Sequence, residues 1–218
     1  MLIIARGAEA LVKKGGKLIV KERIIKGYRI KQIDEALRKK RTKLEARVIR
    51  EARRAGVLTP QILEENEFSI KMEFINGIRV KEFVEEDNFE AVAEEIGKSI
   101  ALLQNYDIIH GDLTTSNMII ARSERHLVSS KPKIKNKPDF ALYFIDFGLG
   151  FFSRRIEDKA TDLHLLKEVI TATHFQIADK FWSAILSAYS NNYDDSEKVI
   201  KALQKIEKRG RYVKRGIE

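Results

Sequence analysis

The sequence predicts an α+β protein of two lobes: a small β-rich lobe with one long helix at residues 1–75, and a reduced, mainly helical lobe at 76–208 that ends in a basic tail at 209–218. Three observations carry this. Up to residue 75 the apolar residues come in short runs, broken by Gly15-Gly16 and by the acidic turn Glu64-Glu65-Asn66-Glu67, as strands and hairpins require. Within that region a single stretch, from about 32 to 55, has helical period. Beyond Asn76-Gly77 the pattern is mostly helical, which places the lobe boundary near 75–77.

Taken in order, strands are expected at 2–5, 9–13 and 17–22, with Gly15-Gly16 joining the last two as a hairpin. The helix at 32–55 sets Leu37, Leu44, Val48, Ala52 and Ala55 on one face, and Gly56 ends it. Short strands follow at 61–63 and 68–74. Phe89, Val92, Ala93, Ile96, Ile100 and Leu103 form a helical stripe leading to Ile108-Ile109-His110. Strands at 118–121 and 142–145 flank residues 122–139, a polar, lysine-rich insertion read as a surface loop. Helices are expected at 158–173, about 178–189 and 196–208, with no apolar periodicity from 209 to 218.

With 44% hydrophobic residues in 218 and 3 prolines, the chain can bury a real interior. The absence of cysteine excludes disulfides and thiolate zinc sites, and the four histidines lack metal-ligand spacing. The apolar start at 1–4 is broken by Arg6 and Glu9, so neither a signal peptide nor a membrane span is expected, and the protein reads as cytoplasmic. Lys+Arg 41 against Asp+Glu 32 gives a formal charge of +9. The excess is clustered at Arg38-Lys39-Lys40-Arg41 and the following arginines, at 131–137, and from Lys198 onward, which favours a polyanionic partner, nucleic acid first.

The chemistry concentrates in His110-Gly111-Asp112-Leu113-Thr114-Thr115-Ser116-Asn117 and, after a long gap, Asp146-Phe147-Gly148. Asp112 follows an apolar run and precedes a polar turn, where a carboxylate can orient and deprotonate a hydroxyl or water. Asn117 and Asp146 are hard oxygen ligands suited to Mg²⁺. Lys21, on a strand, is the candidate cation for phosphates. Its expected partner is Glu45, which lies among Leu44, Val48 and Ile49, whereas Glu51 is surrounded by arginines. Between the first two strands, Arg6-Gly7-Ala8-Glu9-Ala10 is placed to cover phosphates through Gly7 and Ala8, with one glycine where three are usual. Backbone groups of Glu73 and Ile75, at the lobe junction, are candidates for pairing with adenine. His110 reads as a support for the loop, and Asp162 either caps that loop or is a plain helix acid.

These segments, with Glu45-Ala46-Arg47, Met72-Glu73 and the run from Glu157 to Leu163, resemble the protein-kinase-like superfamily. In detail they resemble the small atypical kinases of the KEOPS (EKC) complex, the PRPK-type family. The resemblance runs from about residue 3 into the basic tail, and the octapeptide is its most specific part. It implies a bilobal protein-kinase-like fold that binds ATP and Mg²⁺, with serine/threonine kinase, autophosphorylation and ATPase activity. The chain would act beside a catalytic subunit that installs threonylcarbamoyl groups on ANN-decoding tRNAs and a small regulatory subunit. Asp112 would be the proton acceptor, Lys21 and Glu45 the phosphate-anchoring pair, and Asn117 and Asp146 the metal ligands. The tail, with Arg209, Arg211, Lys214 and Arg215, and the basic clusters would meet tRNA.

Departures from ordinary protein kinases sharpen this. Gly111 replaces the arginine that reads a phosphorylated activation loop, no Ala-Pro-Glu follows Gly148, and Thr114 stands where many kinases place a lysine on the γ-phosphate. ATP hydrolysis or self-modification is therefore expected over broad protein phosphorylation. Two other readings stay open: a small-molecule phosphotransferase of the aminoglycoside-kinase type, and an ATP-binding scaffold that holds tRNA with little turnover.

Overall fold

The computed structural model describes residues 1–122 and 140–215, with 122 and 210–215 as backbone. Most of the lysine-rich insertion and the last three residues of the basic tail lie outside the described residues. The first lobe is a five-stranded antiparallel sheet in the order β1-β2-β3-β5-β4, built from β1 (Leu2–Arg6), β2 (Ala10–Gly15), β3 (Leu18–Arg23), β4 (Ile62–Glu65) and β5 (Ser69–Glu73). Gly15 faces Leu18 across the β2–β3 hairpin, which puts Lys21 opposite Val12 on one side and Ile70 on the other. Helix α1 (Lys31–Arg54) crosses this sheet, and its Ala46 packs with Ile70 and Met72 in a small core.

The buried face of α1 differs from the expected one. Val48, Ala52 and Ala55 are buried as predicted, but Leu37 and Leu44 are half-buried and Ala46 and Ile49 are buried instead. Two surfaces, not one, claim this helix: the sheet above takes Ala46, while Val48, Ile49 and Ala52 join the main core of the second lobe.

The second lobe contains β6 (Ile78–Arg79), α2 (Val80–Phe83), α3 (Phe89–Asn105), β7 (Ile108–Ile109), β8 (Met118–Arg122), β9 (Phe140–Phe144), β10 (Phe151–Phe152), α4 (Ile156–Thr173), α5 (Ala178–Ser190) and α6 (Ser196–Arg215). Its strands form a three-stranded sheet, β6-β8-β9, and a β10–β7 pair. The predicted α3 stripe is buried at every one of its six positions. It packs on α5, where a Cβ on Gly97 would lie 2.5 Å from the Ile185 carbonyl oxygen, so the two backbones meet closely. Helix α6 runs on to Arg215, past the predicted end at 208. Lysine and arginine are good helix formers and extend a helix without an apolar face. Among the described residues no helix is long and apolar enough to cross a membrane.

Candidate functional site

Strand β7 delivers the chain into the core and the octapeptide turns it back out. Leu113 and Thr115 are fully buried and anchor the turn, and Asn117 N–H donates to the Thr114 carbonyl at 3.0 Å to close it. Beneath the loop, Asp162 of α4 accepts the His110 N–H at 2.8 Å and the Gly111 N–H at 3.0 Å. Of the two readings of Asp162, the geometry is that of the loop cap. Burial pushes its carboxyl up to about 6, against the pull of those two N–H groups.

His110 is fully buried, and burial drives its imidazole down to about 4, so the ring is neutral at pH 7. Its partners define the tautomer. Nδ1 accepts the Asp112 N–H at 3.3 Å, which leaves Nε2 to donate to the Ile145 carbonyl at 3.1 Å. The ring also packs on Phe147, with centroids 4.5 Å apart. His110 thus ties the Asp112 loop to the Asp146 loop, and the Ile145 N–H returns the tie to the Asn117 carbonyl at 2.9 Å.

Two bonded groups of candidate residues stand on this frame. In the first, Asn117 Nδ2 donates to Asp112 Oδ2 at 2.8 Å and to the Asp112 carbonyl at 2.9 Å. That fixes the carboxylate and turns the amide oxygen, the end a cation would take, away from it. In the second, Lys21 Nζ donates to Glu45 Oε1 at 2.6 Å and to Asp146 Oδ1 at 2.5 Å. Burial alone would lower the Lys21 ammonium, but the Glu45 and Asp146 carboxylates together hold it above the usual lysine range. Asp146 is likewise held below the usual range, because the Lys21 charge outweighs the effect of burial.

One residue of this site escapes the sequence reading. Arg23 donates through Nη2 to the other oxygen of Glu45, so that carboxylate carries a cation on each side. At the end of β3 Arg23 looks like a surface residue. The signal lay in its spacing of two from Lys21, which puts both on one face of the strand.

The covering and hinge residues are joined to neither group. Gly7 N–H donates to the Ala10 carbonyl at 3.0 Å, and Lys26 Nζ donates to the Ala8 carbonyl. Beside them Glu9 pairs with Arg41 at 2.5 Å and Arg29 at 3.5 Å. Side chains, not glycines, therefore hold this loop to α1. At the lobe junction the Glu73 N–H is committed to the Gln61 carbonyl at 2.9 Å, which leaves the Glu73 carbonyl as its backbone group for a base. Ile75 is buried next to it.

The basic cluster at 38–41 comes apart in three dimensions. Arg38 is buried against Asp34 at 2.6 Å and over the Phe68 ring, Lys39 pairs with Glu67 at 2.7 Å, and Arg41 is taken by Glu9. Lys40, Lys43 and Arg47 remain as an exposed row at helical spacing, with no acidic partner among the described residues.

A family model described as "RIO domain" matches residues 15–145. The chain is 39% identical over 212 residues to the "Probable serine/threonine-protein kinase BUD32 homolog" of Archaeoglobus fulgidus, covering 96% of this chain and 95% of that one. It is also 39% identical over 215 residues to the "Probable bifunctional tRNA threonylcarbamoyladenosine biosynthesis protein" of Methanosarcina mazei, covering 96% of this chain. The chain spans 35% of that bifunctional relative's length. Among solved structures, the Rio2 kinase of Chaetomium thermophilum in an ADP/Mg²⁺-phosphoaspartate complex has a TM-score of 0.63 at 12% identity, over 96% of this chain and 70% of that one. WaaP in complex with acyl carrier protein has a TM-score of 0.62 at 15% identity, over 94% and 87%. These two likenesses concern the fold alone.

Proposed function

The chain belongs to the RIO-domain, BUD32-type family of protein-kinase-like proteins, and from that premise we propose that it is an ATP- and Mg²⁺-dependent atypical serine/threonine kinase and ATPase. It serves tRNA threonylcarbamoyladenosine formation in a cytoplasmic KEOPS-type complex, beside the threonylcarbamoyl-transferase subunit and a small regulatory subunit. Residues 1–75 cover the nucleotide, 76–208 carry the reacting loops, and the tail at 209–218 meets tRNA.

One observation carries this reading: the Asp112–Asn117 pair and the Lys21–Glu45–Asp146 chain are locked together through His110 and Ile145. Asp112, held by the Asn117 amide, accepts the proton of an attacking hydroxyl or water at its carboxylate. Lys21 turns from Asp146 to the α- and β-phosphates while Glu45 keeps its position. Asn117 and Asp146 offer two hard oxygens, a donor set that fits Mg²⁺, and they are the residues that would hold it. When bound, Mg²⁺ neutralises charge on the phosphate oxygens. Gly7 and Ala8 would cover the phosphates, and the Glu73 carbonyl and Ile75 N–H would pair with adenine.

The segment after Gly148 supports hydrolysis or self-modification over peptide phosphorylation. It is short and pinned: Phe151 and Phe152 pair with Ile109 and Ile108, and Ser153 N–H donates to the Asp107 carbonyl at 2.8 Å. At Gly111 a Cβ would lie 2.3 Å from the Leu149 carbonyl oxygen, so the position has no room for the arginine that reads a phosphorylated loop. For tRNA, the row Lys40, Lys43 and Arg47 and the basic end of α6 supply the cations.

ATP turnover of the purified chain, measured alone, with tRNA and with the threonylcarbamoyl-transferase subunit, tests the reading. Turnover that needs Mg²⁺, rises with that subunit and is lost in Asp146→Ala supports it. Turnover indifferent to Mg²⁺ and to Asp146→Ala overturns it, and retained ATP binding without turnover favours the scaffold alternative.

A further inference from the structure

Glu45 is 2% exposed and holds one cation on each oxygen, Lys21 on Oε1 and Arg23 on Oε2. The two cations are not equivalent. Lys21 divides its ammonium between Glu45 and Asp146, whereas Arg23 is 6% exposed and, among the described residues, pairs with Glu45 alone. The strand end that carries Arg23 is itself fixed, since its N–H donates to the Phe68 carbonyl at 2.8 Å. Its guanidinium lies against the Asp146 loop, where a Cβ on Gly148 would be 3.7 Å from Nη2 and 3.0 Å from Lys21 Nζ. Two positive and two negative groups thus balance before any ligand enters.

On the phosphotransfer reading above, on which this inference rests for its consequence, a nucleotide changes the demand on Lys21. Phosphates compete for its ammonium and a divalent ion competes for Asp146. If Lys21 were the sole cation on Glu45, each such change would leave a buried carboxylate partly uncompensated, which is strongly unfavourable. Helix α1 would then be held by apolar packing alone at this point, with no charge tie to β3. We propose that Arg23 is a positioning residue that holds Glu45, and α1 with it, in one place whatever Lys21 is engaged with, so that nucleotide does not set the position of this helix. Arginine suits the task, being charged at every working pH and presenting a rigid planar fork.

Because the chain has no cysteine, Lys43→Cys on the exposed face of α1 and Glu90→Cys on α3 can carry spin labels whose separation reads the helix position in the full chain. The separation should be narrow and unchanged by Mg-ATP in the parent and in Lys21→Met. Arg23→Met should broaden or displace it without nucleotide, and Arg23→Lys should restore most of it. An Arg23→Met distribution as narrow as the parent's, or a Lys21→Met distribution as broad as that of Arg23→Met, overturns the proposal. If Arg23→Met does not fold, Arg23→Met/Glu45→Gln removes the uncompensated charge. Recovery of a cooperative melt supports the proposal, and no recovery contradicts it. Absence of ATP turnover in the parent would count against the phosphotransfer reading alone, since the decisive distances are taken without nucleotide.

Discussion

Replacing Gly111 by alanine probes the turn on which Asp112 stands. Gly111 has φ 78°, and an L-residue in that left-handed region costs roughly 1–2 kcal/mol. Its Cβ would also lie 2.3 Å from the Leu149 carbonyl oxygen and 2.7 Å from the carbonyl carbon. The backbone after Asp146-Phe147-Gly148 must then yield, and overpacking of that kind costs about 1–3 kcal/mol. Together these make about 2–5 kcal/mol, or a fall in Tm of roughly 4–20 °C for a chain of this length. Gly16 is the control. It has φ 60° with nothing within 4 Å of a Cβ, so Gly16→Ala carries the conformational cost alone, roughly 2–8 °C. Scanning calorimetry of both variants, with ATP turnover measured below their melting ranges, separates the two contributions. Gly111→Ala should melt well below Gly16→Ala and lose turnover as Asp112 shifts. Equal melting of the two would mean that the Leu149 backbone does not oppose a side chain at 111, because only one of the two positions has a backbone in its way.

Acidification should expose the opposed titrations of His110 and Asp162. His110, lowered to about 4 in the fold, withdraws stability as pH falls below about 6.5, whereas Asp162, raised to about 6, returns it between about 6 and 3.8. Each effect is of order 3 kcal/mol and they oppose, so Asp162→Asn should lose about 3 kcal/mol more than the parent between pH 6.5 and 4 in urea titrations; parallel profiles would contradict this. Neutralising Lys40, Lys43 and Arg47 together should weaken tRNA binding and make the log K against log salt slope shallower by about 2–3. An unchanged slope would mean that the row is only a solvated face.

How much of this was legible depended on how much chemistry each residue carries by itself. That the octapeptide and Asp146-Phe147-Gly148 belong together was readable from acid, amide and glycine at fixed spacing, and the fold joins them through His110 and Ile145. Glu45 was readable because an acid at the edge of an apolar stripe requires a partner, and Lys21 bonds it at 2.6 Å. The helical stripe of α3 was readable from its period, and all six of its residues are buried. The two-residue strands β6, β7 and β10 were not, since two residues have no period to detect. Arg23 was hidden because its burial comes from Glu45, 22 positions away. The apparent cluster at 38–41 dissolved partly for the same reason: the distant Glu67 and Glu9 claim Lys39 and Arg41 through folding, while Asp34, one helical turn away, takes Arg38. Helix α1 was misphased at Leu37 and Leu44 because a single amphipathic face cannot describe a helix that serves two cores.

On the proposed function, Asp112 takes the proton in a Mg²⁺-dependent phosphoryl transfer. Asp112→Asn keeps the shape of the side chain and an oxygen to accept from Asn117, while removing the base. The rate of ATP consumption should fall by about 10²- to 10⁴-fold with ATP binding and Tm close to those of the parent. Consumption at the parental rate would show that Asp112 is not the base.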